Sequence, residues 1–491
     1  MSRVEYNRAE NGLRGMWTWP GRSGTPSTNG KIGSMDASSE FLARSEDGRS
    51  FTVDHAAGST LVAGSLVILH ADGGRQLGIV EERTVNPEAL RGRLIGELGD
   101  GTLDLRASHP FTEAGVEPVD HRTIEMLHES TGAVLEVGTN LMPPGGAARL
   151  LPTRFNRHTF WCGQSGSGKT YALGVVLEQL IAHTALPVVV FDPNSDFVRL
   201  GELNPGASGP AAEALAQRDI RVLRPRDESS PLRARFLDMP LASKAAVLRL
   251  DPVQQREEFN QLLRLGQEIS NADNLDEVLT RLNRLGDGAS HPLAERIQNL
   301  GLLDWEVWAG DDTAVTDVVD ERPDATVLDL GGFSTPEQQL VVALALLDDL
   351  WAKREERRPV LLVIDEAHNL CSPQLDSTLA IAVRERLIQI AAEGRKFGLW
   401  LLLSTQRPSK VHSGIITQCD NLALMKMSSP VDLAELGTSF GYAPAALLAR
   451  SPWFRQGEAL FAGGFVPTPS LVKMNARLTP EGGTDVKVPM R

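Results

Sequence analysis

The spacing of apolar residues changes along the chain and separates an N-terminal β region from a longer α/β region. Between about 41 and 147, short apolar or alternating runs are separated by glycine-containing turns, which is typical of a small β-barrel. Ala71-Asp72-Gly73-Gly74-Arg75 has the composition of a hairpin turn. The runs that predict strands are 51–53, 61–63, 65–69, 76–80 and 133–137.

From about 148 onward, apolar strands alternate with helical patterns, which predicts an α/β domain with a parallel sheet over 148–470. Its predicted strands are 158–162, 187–192, 325–330, 359–364 and 399–404, and its main predicted helices are 171–183 and 336–354. Between about 210 and 310 the alternation is interrupted by helical spacing, which predicts a helical insertion. The predicted insertion helices are 243–249, 253–265 and 275–285.

The two ends of the chain are predicted to lie outside these domains. Residues 1–40 are rich in Gly, Ser, Asn and Pro, which favours a flexible arm. Trp17 and Trp19 are unusual in such a segment, and either dock on a partner or pack locally or stay exposed. Residues 471–491 are predicted to be a C-terminal tail.

The bulk composition is that of an ordinary globular protein, with 42% apolar and 23% charged residues in 491. This length allows about three domains. No apolar run approaches the length of a membrane span, and no secretory leader is apparent, so we expect no membrane association. The three cysteines, Cys162, Cys371 and Cys419, are widely spaced, which favours a reducing cytoplasm over a disulfide framework or zinc site.

The formal net charge of −14 argues against a protein that simply coats nucleic acid. It does not exclude a motor that contacts DNA inside a narrow basic channel. Residues 51–150 contain seven Arg, no Lys and fourteen Asp or Glu. An acidic barrel is better suited to protein docking than to DNA binding, although an acidic surface without a partner would have the same composition.

Residues 163–170 match the phosphate-binding P-loop pattern G-x-x-x-x-G-K-[ST] in full, between a predicted strand and a predicted helix. The eight residues are Gly163, Gln164, Ser165, Gly166, Ser167, Gly168, Lys169 and Thr170. In such a loop the backbone N–H groups face a phosphate chain at a helix N-terminus. Lys169 is predicted to bind the β- and γ-phosphates of ATP, and Thr170 to ligate Mg²⁺. The alternative is a glycine-rich surface turn.

The strand at 359–364 ends in two carboxylates, Asp365 and Glu366. An acid in this position lies beside the P-loop, where Asp365 would hold Mg²⁺ and Glu366 would polarise the attacking water. The alternative is a strand that merely ends in charges. Residues 365–368 also spell the Asp-Glu-Ala-His box of two-lobed helicases, but such enzymes need a second nucleotide-facing lobe with an Arg-rich motif, which we do not expect in the residues that follow.

Two further polar residues are candidates for the γ-phosphate. Gln406 follows the strand 399–404, in the position of a polar sensor that bonds the γ-phosphate or its attacking water; a turn residue is the alternative. Arg395 lies between the carboxylate strand and this sensor strand. It is either an arginine finger for a neighbouring subunit or a surface charge at a helix end.

Several motifs together resemble the HerA-like ATPases of the HerA–FtsK group of hexameric DNA pumps. The motifs are 191–196 (Phe-Asp-Pro-Asn-Ser-Asp), 363–368 (Val-Ile-Asp-Glu-Ala-His), 393–398 (Glu-Gly-Arg-Lys-Phe-Gly), 404–409 (Ser-Thr-Gln-Arg-Pro-Ser) and 457–460 (Gly-Glu-Ala-Leu). The resemblance covers roughly 130–475, and the region before it resembles the family's N-terminal barrel in layout. It implies a RecA-like P-loop fold and a homohexamer with ATP sites between subunits.

The resemblance also implies roles for individual residues. Arg395 becomes a trans-acting residue, and Arg157 and Arg407 become second candidates for phosphate contact. Asp192 and Asp196 fall where the family places acidic residues beside the nucleotide or pore. Lys426 stands where the family often has Arg, and a lysine is a weaker bidentate group.

Two functions remain open from the sequence. The first is an ATP-driven translocase or helicase on double-stranded DNA, which works with a partner such as a NurA-type nuclease or an anti-phage effector docked on the barrel. The second is a nucleotide-ordered ring scaffold that recruits an effector enzyme, with DNA not its main track. The discriminating feature is a basic pore-facing loop, for which the candidates are Lys244, Arg249, Arg281, Arg284 and Lys396.

Overall fold

A computed structural model of the chain describes residues 41–54, 59–85, 88–268, 275–285, 288, 290–310 and 312–483. The predicted arm 1–40, with Trp17 and Trp19, lies outside the described residues. The predicted RecA-like α/β fold with a preceding β-barrel is confirmed. No described helix combines the length and apolar character that a membrane crossing requires.

The N-terminal region is a closed antiparallel barrel. Its strands are β1 (Leu42–Ser45), β2 (Ser50–Asp54), β3 (Leu66–Ala71), β4 (Gly74–Val85), β5 (Glu88–Leu98), β6 (Leu103–Asp104) and β7 (Phe111–Pro118). The order is β2-β1-β7-β3-β4-β5-β6, and pairing of β2 with β5 closes the barrel. Alternate residues such as Val53, Leu69 and Leu90 are fully buried inside it. Ala71 pairs with Gly74 across the predicted hairpin turn.

Two expectations about the barrel are wrong. Residues 61–63 form no strand, because the chain turns there and Ser65 N–H donates to the Val62 carbonyl. Residues 133–137 are predicted to belong to the barrel, but helix α1 (His121–Thr131) ends the barrel region, and β8 (Leu135–Leu141) and β9 (Pro144–Leu150) join the large sheet. The alternating pattern of β8 predicts a strand but not its partner, which comes from residues 472–474.

The large sheet contains eleven strands of the described chain. After β8 and β9 these are β10 (His158–Cys162), β11 (Val188–Asp192), β12 (Ile220–Leu223), β13 (Ala325–Asp329), β14 (Val360–Ile364), β15 (Leu399–Thr405), β16 (Cys419–Leu424), β17 (Glu458–Gly463) and β18 (Ser470–Met474). The order is β12-β13-β11-β14-β15-β10-β16-β17-β18-β8-β9. The strands from β12 to β16 in this order are parallel, and the remaining pairs are antiparallel. The order places β15 between β14 and the P-loop strand β10.

Helices cover both faces of this sheet. They are α2 (Lys169–His183), α3 (Pro210–Leu215), α4 (Leu241–Val247), α5 (Arg256–Glu268), α6 (Leu275–Leu285), α7 (Ser290–Asn299), α8 (Val315–Asp320), α9 (Pro336–Ala352), α10 (His368–Cys371), α11 (Thr378–Glu393), α12 (Ser413–Ile416), α13 (Pro430–Ser439) and α14 (Ala445–Leu448). Trp161 packs with α2 on one face, whereas Phe160 packs with α9 and α11 on the other.

The helical insertion differs from the predicted 210–310 at both ends. Residues 220–223 form β12, an edge strand of the sheet, and helical structure continues through α8 to Asp320. Within it, α6 has the predicted bounds and buries an i, i+3, i+4, i+7 stripe of Leu275, Val278, Leu279 and Leu282.

The predicted C-terminal tail 471–491 is also wrong for its described part. Residues 470–474 form β18, which pairs with β17 and β8 inside the sheet. Beyond it Arg477 and Thr479 are buried. The sequence pattern missed this strand because five residues with one lysine are too few to establish a period.

Candidate nucleotide-binding site

The P-loop joins β10 to α2 along a tightly curved backbone. Gly166 and Gly168 have φ angles of +75° and +85°, which favour glycine. A Cβ on Gly163 would lie 2.8 Å from Met425 Cβ, so glycine is needed for this close approach. The loop therefore has the backbone geometry that lets N–H groups face an anion at the start of α2.

Lys169 lies under this loop and contacts the strand ends next to it. Its Nζ atom is 2.7 Å from Asp365 Oδ1 and 2.8 Å from Ser404 Oγ. Ser404 Oγ in turn donates to Asp365 Oδ1 at 2.6 Å. Burial alone would lower the pKa of Lys169, but Asp365 and Glu366 together raise it, so the ammonium stays charged.

Glu366 has a strained backbone and a tightly held carboxylate. Its φ of +44° is unusual for a non-glycine residue, and such strain is often found at functional sites. Gln406 Nε2 donates to its Oε1 atom at 2.7 Å, and Lys169 Nζ lies 3.3 Å from the same oxygen. The predicted base and the predicted sensor are therefore in direct contact.

The other oxygen of Glu366 is differently placed. Oε2 is buried and accepts no hydrogen bond, although His368 Nδ1 lies 3.2 Å away. The same nitrogen is 3.1 Å from Thr405 Oγ1. Burial lowers the pKa of His368, with a further contribution from Arg407, against the opposing effect of Glu366. A neutral imidazole leaves Oε2 able to accept a proton.

The residues present fit a magnesium ion. Asp365 Oδ2 is buried without a hydrogen-bond donor, so one carboxylate oxygen is available as a ligand. Thr170 lines a cleft of about 700 Å³ beside the P-loop. Mg²⁺ prefers such oxygen ligands and usually completes its shell with waters and substrate phosphates. No group of three or more His, Cys, Asp or Glu side chains that could hold a metal ion occurs among the described residues.

Asp192 and Asp196 have different surroundings. Asp192 is buried, and its carboxylate accepts backbone hydrogen bonds from Asn194, Asp196 and Phe197, so it shapes the turn after β11. Burial raises the pKa of Asp192 to about 7, although two of these bonds lower it. Asp196 lines the cleft, where burial and the nearby Asp365 raise its pKa to about 6.

Arg395 and Arg157 lie far from the P-loop of their own chain. Both contact Asp420 Oδ2, Arg395 through Nη1 at 2.7 Å and Arg157 through Nε at 3.5 Å. Arg157 precedes β10 and the P-loop follows it, so the five residues of β10 separate them by about 16 Å. The structure thus groups these arginines together at the edge of the sheet formed by the N-terminal ends of its parallel strands. The P-loop lies at the opposite edge, which is formed by the C-terminal ends of these strands.

The remaining basic candidates are dispersed. Arg407 is exposed beside the His368 site, and the Lys426 carbonyl accepts from Gln164 N–H at the P-loop. The pore candidates lie on different elements: Lys244 on α4, Arg249 just after it, Arg281 and Arg284 on α6, and Lys396 in the turn after α11.

Sequence reasoning missed four side chains near the site. Ser404 and His368 belong to the motifs 404–409 and 363–368. Their positions near the C-terminal ends of β15 and β14 are the sequence feature that could have identified them as site residues. Lys473 and Glu481 line the cleft from the segment predicted to be a tail. Nothing local in that segment indicates that it returns to the P-loop.

Comparison with known proteins identifies the central part of the chain. Residues 148–350 match the family described as "Helicase HerA, central domain". The DNA double-strand break repair helicase HerA of Saccharolobus solfataricus is 22% identical over 396 residues, which cover 74% of this chain and 73% of that protein. The probable helicase MJ1565 of Methanocaldococcus jannaschii is 31% identical over 152 residues. That match spans 30% of this chain and less than a third of that relative, at 29%.

Similar solved structures include two proteins of low sequence identity. VirB4 of Thermoanaerobacter pseudethanolicus has a TM-score of 0.48 at 14% identity and covers 70% of this chain and 97% of its own. The bacterial conjugative coupling protein TrwB has a TM-score of 0.48 at 13% identity and covers 75% and 94%. Residues 148–350 are therefore similar to the HerA central domain, and the P-loop, Asp365–Glu366 and Gln406 geometry of the chain is that of a P-loop ATPase.

Proposed function

We propose that this protein hydrolyses ATP to move along double-stranded DNA, as a homohexameric translocase or helicase. The observation that carries this proposal is the convergence of Lys169, Asp365, Glu366 and Gln406 at the P-loop. We infer DNA as the substrate from the relatives of the chain, several of which are named DNA double-strand break repair helicases. The shared central domain supports the same substrate class here.

The site residues divide the hydrolysis between them. The P-loop amides bind the phosphate chain, and Lys169 exchanges part of its contact with Asp365 for phosphate oxygens. Mg²⁺, held by Thr170 and Asp365, would neutralise charge on the β- and γ-phosphates. Gln406 holds Oε1 of Glu366, so Oε2 accepts the proton of the attacking water.

The ring is supported by the position of Arg395 and Arg157. Transition-state charge on the γ-phosphate is commonly stabilised by an arginine. Arg407 is exposed near the site, whereas the paired arginines on Asp420 lie at the far edge of the sheet. In a head-to-tail ring that edge of one subunit would face the P-loop of the next. Arg395, with Arg157 beside it, would then complete a neighbour's site.

The barrel is the proposed docking surface for a partner nuclease or defence effector, because its surface is acidic. The three cysteines are all buried free thiols, which fits a cytoplasmic location. The candidate pore residues lie on different elements and form no single basic loop. This favours a second candidate function, a ring scaffold that recruits an effector enzyme without DNA as its main track.

Steady-state ATPase activity of the purified protein, with and without linear duplex DNA at low and moderate salt, tests the proposal. We expect strong stimulation that weakens as salt rises, because phosphate contacts release counterions. Lys169→Ala is the control and should show no activity with or without DNA. A wild-type rate that ignores duplex DNA, from a protein with the mass of a hexamer, would favour the scaffold.

A further inference from the structure

The C-terminal strand β18 brings a second lysine into the nucleotide cleft. Among the described side chains that line the cleft, the lysines are Lys169 and Lys473 and the acids are Asp196 and Glu481. Lys169 already contacts Asp365 and Glu366. A polyphosphate is strongly anionic, so its binding here calls for a cation that is not already committed to carboxylates.

Lys473 is fixed in position by the sheet. It pairs with Glu458 of β17 on one side and Thr139 of β8 on the other. Its neighbours Val472 and Met474 are buried, whereas its own side chain is exposed. Alternation along the strand therefore directs the side chain of Lys473 out of the core.

A short chain of contacts joins this lysine to the P-loop. Lys473 Nζ donates to the Gln456 carbonyl at 2.6 Å. Gly457 N–H donates to the Ser167 carbonyl at 2.9 Å, and a Cβ on Gly168 would lie 3.3 Å from Gly457 N. Since an ammonium has three donors and one is used by Gln456, the others remain for a ligand beside Gly168.

We propose that Lys473 is an additional phosphate-binding residue of this cleft, which contacts the α- and β-phosphates of a bound adenine nucleotide. The α- and β-phosphates are the groups that the glycine-rich loop itself cradles, and Lys473 Nζ is anchored beside that loop. The proposal rests on the nucleotide-binding part of the proposed function.

Fluorescence titration with mant-ADP and with mant-ATP in the presence of Mg²⁺ tests this assignment. Lys473→Met should weaken both nucleotides by a similar factor of about ten or more, because a charge-assisted contact is lost. Lys473→Arg should retain most of the affinity. Lys410→Met is the matched control, since Lys410 is also exposed and donates to a neutral oxygen, that of Gln374; it should leave binding unchanged.

Lys473→Gln separates phosphate binding from mere support of the loop. Glutamine keeps a donor for the Gln456 carbonyl but has no charge, so it should lose affinity as Lys473→Met does. Wild-type affinity in Lys473→Gln, or in Lys473→Met, would overturn the assignment. If the wild-type protein binds neither nucleotide, the proposed ATPase function fails instead.

Discussion

Arg395 donates a hydrogen bond to Asp420 Oδ2 at 2.7 Å, at the edge of the sheet opposite its own P-loop. Arg157 approaches the same oxygen, so two guanidinium groups share one carboxylate. The pair keeps Arg395 in place near a partly exposed surface. This arrangement is useful for chemistry only if another subunit brings its phosphate site to that edge.

Replacing Arg395 should therefore impair hydrolysis and spare nucleotide binding. We expect Arg395→Ala to reduce the ATPase rate by about a thousandfold, the lower range for arginine fingers, with unchanged mant-ATP affinity. Asp420→Asn is the control: it removes the ion pair but keeps the arginine, so its rate should fall far less.

Mixing Arg395→Ala with Glu366→Gln protein tests action between subunits. An Arg395→Ala subunit supplies an intact Glu366, and its Glu366→Gln neighbour supplies an intact Arg395. The mixture should hydrolyse ATP faster than either variant alone. A mixture no more active than the sum of its components would mean that Arg395 does not act in trans.

Glu366→Gln should separate ATP binding from hydrolysis. Glutamine keeps the shape of the side chain but cannot take the proton of water, so turnover should fall about a hundredfold or more. Lys169 still pairs with Asp365, so mant-ATP affinity and the melting temperature should remain close to wild type. Unchanged steady-state turnover would exclude Glu366 as the base.

The buried Arg477–Glu178 pair should be a strong determinant of stability. Glu178 Oε1 lies 3.3 Å from Arg477 Nε, both side chains are 1% exposed, and Glu178 also accepts from the backbone of Leu478 and Thr479. Removing one partner leaves a buried charge, so Arg477→Met should cost about 3–5 kcal/mol. Thermal unfolding followed by circular dichroism measures the effect.

A matched pair provides the control for this measurement. Arg199 and Glu202 form an exposed ion pair on the surface, so Arg199→Met should change the unfolding free energy by less than about 1 kcal/mol. The double variant Arg477→Met/Glu178→Gln should melt higher than the sum of its single changes implies. Strict additivity would show that the two groups do not interact.

His158 should make stability depend on pH. Its Nδ1 accepts from Leu401 N–H and its Nε2 faces the Ala391 carbonyl, so the buried ring is neutral. Burial, followed by the charge of Arg395, lowers the pKa of His158 from 6.5 to about 4. Between about pH 6.5 and 4, His158 binds a proton in the unfolded chain but stays neutral in the folded chain. The free energy of unfolding therefore decreases as the pH falls from about 6.5 to 4.

The expected loss from His158 is about 3 kcal/mol, complete near pH 4. His158→Asn keeps an acceptor for Leu401 N–H but cannot be protonated. Its melting temperature should therefore fall less steeply than that of wild type between pH 7 and 5. An equal fall of the melting temperature between pH 7 and 5 in the two proteins would contradict this account.

The sequence predicted the parts of the fold that depend on local patterns. The strands β10, β11, β13, β14 and β15 are mostly apolar and are buried along almost their whole length, and each lies within about one residue of its predicted bounds. Such runs are typical of parallel strands buried on both faces. The sheet order places the strand that carries the predicted sensor, β15, between β14 and β10.

The parts that were missed depend on contacts between distant residues. Val472 pairs with Asn140, which lies 332 positions earlier in the chain, and no local pattern in either segment indicates that the two strands pair. The sequence predicts Ser404 only as the end of an apolar strand, yet its hydroxyl lies between Lys169 and Asp365. The periodicity of apolar residues identifies which face of a helix or strand is buried, but it does not identify the element that packs against that face.

Displacement of a third strand from linear duplex DNA is the measurement that tests DNA translocation most directly. A triplex-forming oligonucleotide is bound at one end of a duplex, and its release is followed after addition of the protein with ATP and Mg²⁺. We predict release by the wild-type protein that requires ATP and is absent with Glu366→Gln. Active ATP hydrolysis without any release of the third strand would contradict the account.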